Sequence, residues 1–187
     1  MKKILFIALS IILSAPTFGA DGNYKKTKRY KTIKKGRKIL RNMIVMNNKM
    51  LVKLNKQTIN YPRLNKKLSK ILDEGVIWVN NCYILQYFYK VNQHYSLENF
   101  EDYTAYECFM NGFHVEDYCV GNTIQYAFSF TNKLARILQG KCKFKIILSV
   151  NNQNCCHITF HSLHNEETEW VVMEQLDSYS ESIAVFM

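Results

Sequence analysis

The spacing of hydrophobic positions changes along this 187-residue chain, and the changes mark out its elements. Ile39, Leu40, Met43 and Ile44, then Leu51 and Leu54, sit at helical spacing inside a basic stretch. Leu64, Leu68, Ile71 and Leu72 repeat that spacing after Pro62. Val76–Val79 is a short apolar strand or extended entry. Asn80 or Asn81 then caps a predicted helix whose stripe is Ile84, Leu85, Phe88 and Tyr89. Ser96 caps another over about Leu97–Met110, closed by Gly112. Asn122 or Thr123 caps a third, which runs through Leu138 and stops at Gly140. Beyond it the period falls to two: Phe144, Ile146, Leu148 and Val150 alternate with Lys143, Lys145 and Ser149. A hairpin is predicted next, with strands at about His157–Leu163 and Glu169–Glu174 and a polar turn at His164–Thr168. Ser182–Met187 reads as a last short strand. Helices followed by three or four antiparallel strands predict an α+β domain over residues 71–187.

Charge divides the chain more sharply than hydropathy does. Residues 21–70 carry seventeen Lys and Arg against the single acid Asp21, whereas residues 71–187 carry six basic groups against fourteen acids. The formal net charge of +10 therefore hides a basic arm and an acidic body. The arm, with its amphipathic helical segments, suits an anionic polymer or a membrane surface engaged through residues 24–56; nothing in it reads nucleic-acid bases specifically. Ahead of it, residues 1–20 have the form of a secretory signal: Lys2 and Lys3, the apolar run Ile4–Leu13, and a small-residue exit. The expectation is a cleaved signal peptide and a secreted or periplasmic protein. A hydrophobic share of 48%, with twelve Tyr and eleven Phe, is enough to build a packed core.

Six cysteines in an exported chain raise disulfides as a question without giving their pairing. No CxxC spacing occurs, and the histidines add only His157 and His161, so no metal site or cofactor is predicted. Folding the predicted hairpin about Glu166 sets roughly Glu174 to Leu176 opposite His157. An imidazole facing a carboxylate is a way to orient a catalytic base. Cys82, on the first turn of its predicted helix, would have its thiolate favoured by the free N–H groups and the dipole. His161 and His164 read as solvent-facing strand and turn residues, and Trp170 as packing for the sheet.

The motifs N-N-C-Y-I-L-Q at 80–86, C-H-I-T-F at 156–160 and W-V-V-M-E at 170–174 carry a resemblance. This layout resembles the papain-like cysteine peptidases, and within them the bacteriocin-processing-type and ubiquitin-hydrolase-like branches. The resemblance implies a thiol hydrolase, peptidase or acyltransferase, acting on a peptide or protein. Cys82 would attack the acyl carbon, His157 would take and return the proton, and Glu174 would hold the imidazole, with Asp177 second and Gln175 third in that role. The Cys82 N–H and an amide from Asn80 or Asn81 would stabilise the oxyanion. Where the family places a glutamine ahead of the nucleophile, this chain has Val76. The chain is also similar to bacterial transglutaminase-like proteins, which would make Cys119 the nucleophile with the same His157 and Glu174. The reading from a different class is a non-catalytic secreted binding or effector protein whose basic arm engages anionic surfaces.

Overall fold

A computed structural model describes residues 43–55 and 61–187, the side chain of Asn55 aside. The expected signal segment and most of the basic arm lie outside the described residues. The main sheet has five antiparallel strands in the order β1-β7-β5-β6-β4. They are β1 (Ile44–Met46), β4 (Phe113–His114), β5 (Phe144–Val150), β6 (Cys156–Ser162) and β7 (Ser182–Phe186). A separate hairpin pairs β2 (Val76–Val79) with β3 (Cys82–Leu85). Among the described residues the α-helices are α1 (Asn48–Asn55), α2 (Lys66–Asp73), α3 (Gln86–Val91), α4 (Tyr103–Met110) and α5 (Thr123–Leu138). This is the α+β architecture that the change of period predicts.

β5 runs down the middle of the sheet, and every one of its residues is buried. Its even-numbered side chains, Phe144, Ile146, Leu148 and Val150, join the core that includes Phe128, Leu134 and Leu138 of α5. The opposite face, which the alternation marks as solvent-exposed, is covered instead. Ile147, Ile183 and Val185 pack there against Val171 and Leu176, with Trp170, Met173 and Tyr179 around them. Lys145 on that face is 4% exposed and pairs with Glu169.

That cover replaces the predicted hairpin. β6 pairs with β5 and β4, and β7 pairs with β5, so no strand forms at 169–174. The chain from Leu163 to Glu181 is a loop with a 3₁₀ segment at Met173–Ser178. Its apolar residues, which suggest a strand when read locally, are spent on capping a sheet face.

The folded body also starts earlier than residue 71. β1 pairs with β7 through Ile44↔Phe186, Val45↔Val185 and Met46↔Ala184. The fully buried Asn47 accepts from the Met50 and Ile183 N–H groups and donates to the Glu181 carbonyl at 2.7 Å. Met50, Leu64, Leu68 and Ile71 belong to the main core. The C-terminal part of the supposed arm is thus an edge strand and two packed helices, and its lysines hide that in any count of charge.

Candidate functional site

Asn80 and Asn81 both have positive φ, at 51° and 62°. Two consecutive left-handed residues make the tight turn that joins twisted antiparallel strands, and asparagine tolerates that geometry. The pair therefore closes a hairpin, with Val79 facing Cys82, and does not cap a helix. Cys82 lies in β3, four residues before α3 begins. It gains nothing from a helix N-terminus. Its side chain is fully buried with Ile84, Tyr106 and Met110. Burial, then the carboxylates of Glu107 and Glu167, push its thiol up to about 12.

Glu107 and Asn111 occupy one face of the C-terminal end of α4, one turn apart, and both are fully buried. They substitute for a missing strand between β3 and β6. Glu107 accepts from the Tyr83 N–H at 2.5 Å, the Ser162 N–H at 2.6 Å and the Ser162 hydroxyl at 2.8 Å. Asn111 accepts from the Leu85 N–H at 2.8 Å and donates to the Tyr83 and Phe160 carbonyls at 2.9 and 3.1 Å. Backbone edges of both sheets are satisfied by two side chains. Burial raises Glu107 above the usual carboxylate range, against these hydrogen bonds and His164, which act the other way.

His164 completes the cluster. Its Nε2 lies 3.2 Å from Glu107 Oε2 and 3.1 Å from Ser162 Oγ, and its ring stacks on Tyr103 at 5.2 Å. The side chain is 14% exposed, so it forms the outer wall of the site. One ligating atom from each of Cys82, Glu107 and His164 falls within 4.8 Å of the others. Glu167 lies beside them, accepting from Thr104 N and Oγ1 at 2.8 Å and from Tyr103 N at 3.2 Å. Its burial is outweighed by those bonds, and its carboxyl sits below the usual range.

The expected triad is not brought together. His157 pairs across the sheet with Ser149 and His114, and its ring sits 5.1 Å from that of His114. Burial, then His114, lower it to about 4. No hydrogen bond joins it to Cys82 or to Glu174. Glu174, Gln175 and Asp177 are exposed on the 3₁₀ segment, and Asp177 accepts from the Asn48 N–H at 2.6 Å, capping α1. Asn81 supplies a turn. Cys119 is buried below the loop ahead of α5 and donates to the Val115 carbonyl at 3.3 Å; burial and then Glu116 raise its thiol. Cys156 and Cys155 are its neighbours there, and all six cysteines are free thiols. His161, expected at the surface, is 1% exposed with its Nδ1 on the Ser162 carbonyl at 2.9 Å.

The second feature is electrostatic. α2 buries Leu68, Ile71 and Leu72 and turns Lys66, Lys67 and Lys70 outward. Beside it Lys133 and Arg136 of α5 line a shallow cleft with Leu64, Ser69, Leu72, Asp73 and Ile137. Together with exposed Arg63 they make six cations, none in an ion pair among the described residues. Sequence spacing shows the lysines of α2, but not that α5 brings two more cations alongside. Among the described residues no helix is long and apolar enough to cross a membrane.

The Uncharacterized protein PM0498 family matches the chain over residues 45–186. The chain belongs to that family, whose span begins at β1 and ends with β7. No curated protein and no solved structure matches it.

Proposed function

We propose that this member of the PM0498 family is an exported binding protein that docks on phosphate-bearing anionic surfaces. What supports the reading is the set of exposed basic residues on α2 and α5, with Lys133 and Arg136 in the cleft beside α2, in a chain whose residues 21–70 carry seventeen Lys and Arg against one acid. A cation left without an acidic partner keeps its full field for an incoming anion. Each basic residue held near an anionic membrane contributes about 1 kcal/mol, so six of them support attachment at roughly tens of micromolar without any shape-specific pocket. The body beneath supplies rigidity: α2 is anchored through Leu68, Ile71 and Leu72.

The test is sedimentation of the full chain with vesicles of mixed neutral and acidic phospholipid, run beside inorganic polyphosphate beads. Replacing Lys66, Lys70 and Lys133 together by Glu is expected to weaken attachment by about 100-fold or more. A deletion of residues 24–42 leaves β1 and α1 in place, so it separates the arm's share from that of the face. Unchanged binding by both variants refutes the proposal. Attachment to beads but not vesicles points to a polymer in place of a bilayer.

Thiol chemistry is the second reading, favoured by one observation: Cys82 shares its cluster with His164 and Glu107. Here His164 would serve as base in place of His157. The sulfur would first have to be uncovered, since it has no exposed surface and its thiolate is disfavoured by two nearby carboxylates. Fast alkylation of Cys82 at neutral pH, slowed by His164→Ala, would support it; uniformly slow alkylation removes it.

A further inference from the structure

We propose that Cys82, Glu107 and His164 form a binding site for one divalent transition-metal ion, with zinc the best match to the donors. Three different elements supply them: β3, α4 and the chain just beyond β6. One sulfur, one carboxylate oxygen and one imidazole nitrogen lie within 4.8 Å of one another, close enough for small side-chain rotations to converge on a single ion. Thiolate, imidazole and carboxylate are the three ligand types that zinc takes, and a tetrahedral site with three protein donors leaves its fourth position to water.

The surroundings fit a cation. Tyr83 N–H and Ser162 N–H hold the Glu107 carboxylate from behind, at 2.5 and 2.6 Å, so its orientation is fixed before any ion arrives. Tyr103 stacks on the His164 ring and sets its plane. Glu167 adds a second carboxylate nearby, itself held by Thr104 and Tyr103. No Lys or Arg pairs with Glu107 or Glu167 among the described residues, so the cluster is short of positive charge. His164, the one partly exposed member, gives the ion a way in.

Binding is balanced as follows. The Cys82 S–H bond breaks and its proton passes to solvent. Metal–sulfur, metal–nitrogen and metal–oxygen bonds form as the aqua ion sheds all but one of its waters, and the His164–Glu107 contact is replaced by the shared metal. This site is independent of the anion-binding face, and its failure would leave that reading untouched.

Cobalt(II) titrated into the metal-free full chain is the experiment. The expected result is saturation at one equivalent, with a thiolate-to-cobalt charge-transfer band and the intense visible bands of tetrahedral cobalt, all displaced by zinc. Cys82→Ser should abolish the charge-transfer band, and His164→Gln should weaken binding at least about tenfold. Cys155→Ala should leave the titration unchanged. Glu107 also anchors the hairpin, so its variants are left out of the test. Absence of a saturable band in the parent chain overturns the proposal. So does a band that survives Cys82→Ser, which would move the metal to other cysteines.

Discussion

Replacing Asn111 by Ala tests whether two side chains of α4 stand in for a strand. The amide makes three bonds, accepting from Leu85 N–H and donating to the Tyr83 and Phe160 carbonyls. The bonds to Leu85 and Phe160 are buried, and neither backbone group has water to turn to. A buried polar group left unsatisfied costs about 1–3 kcal/mol, whereas the half-buried Tyr83 carbonyl can recover part of its loss from solvent. The sum is about 3–5 kcal/mol, a large part of the 5–15 kcal/mol typical of a whole domain. Urea unfolding of the parent and variant chains should show a lower midpoint with an unchanged slope. Asn111→Leu, which keeps the volume but not the bonds, should lose a comparable amount. Hydrogen exchange gives the local readout: the Leu85 amide should lose protection more than the amides of β5. A loss under about 1 kcal/mol, or a Leu85 amide as protected as before, would refute the bridging role.

Other expectations follow from single positions. A Cβ at Gly112 would meet the Cys108 carbonyl oxygen at 2.9 Å and His157 Nε2 at 3.1 Å, so Gly112→Ala should destabilise by about 1–3 kcal/mol in the same urea assay. His157 is held near 4 in the folded chain, below its ordinary 6.5, so its neutral form favours folding. That contribution is complete above about pH 6.5 and declines as pH falls toward 4, by at most about 3 kcal/mol, and His157→Gln should flatten this part of a stability–pH profile. Met50 is fully buried, so Met50→Ala should cost about 2–4 kcal/mol in thermal or urea unfolding; a neutral result would mean that α1 is not part of the body.

Much of the framework is legible in the residues alone. The 3.6-residue stripe of Ile124, Ala127, Phe128 and Leu134 predicts α5, and the alternation from Phe144 to Val150 predicts β5. Both patterns are local, and each element is long enough for its own period to show. The helix predicted after Asn80 starts late, at Gln86, because Ile84 and Leu85 serve two patterns at once: they continue a helical stripe and also close a hairpin strand. The positive φ of the two asparagines settles the choice. The helical spacing at Leu51 and Leu54 anticipates α1, but charge masked β1 and the packing of both into the body, since Lys49 and Lys53 dominate a segment whose Ile44, Met46 and Met50 pack inward. Lys53 itself ends on the Asn151 carbonyl and Asn154 Oδ1.

The sequence by itself determined the α+β class, the long helix, the central strand and the separation of charge, because periodicity and composition depend only on neighbours along the chain. Which imidazole meets Cys82 was decided by tertiary structure. β6 carries His157 to a strand-to-strand contact with His114 and ends just before His164, which the packing of α4 brings beside Glu107 and the thiol. Glu107 and Asn111 look like ordinary helix residues until two strand edges lacking partners are laid against them. Hydrogen bonds between residues far apart in the chain, such as Glu107 with Ser162 at 55 positions, have no local signature, since their strength depends on burial that exists only once the chain has folded.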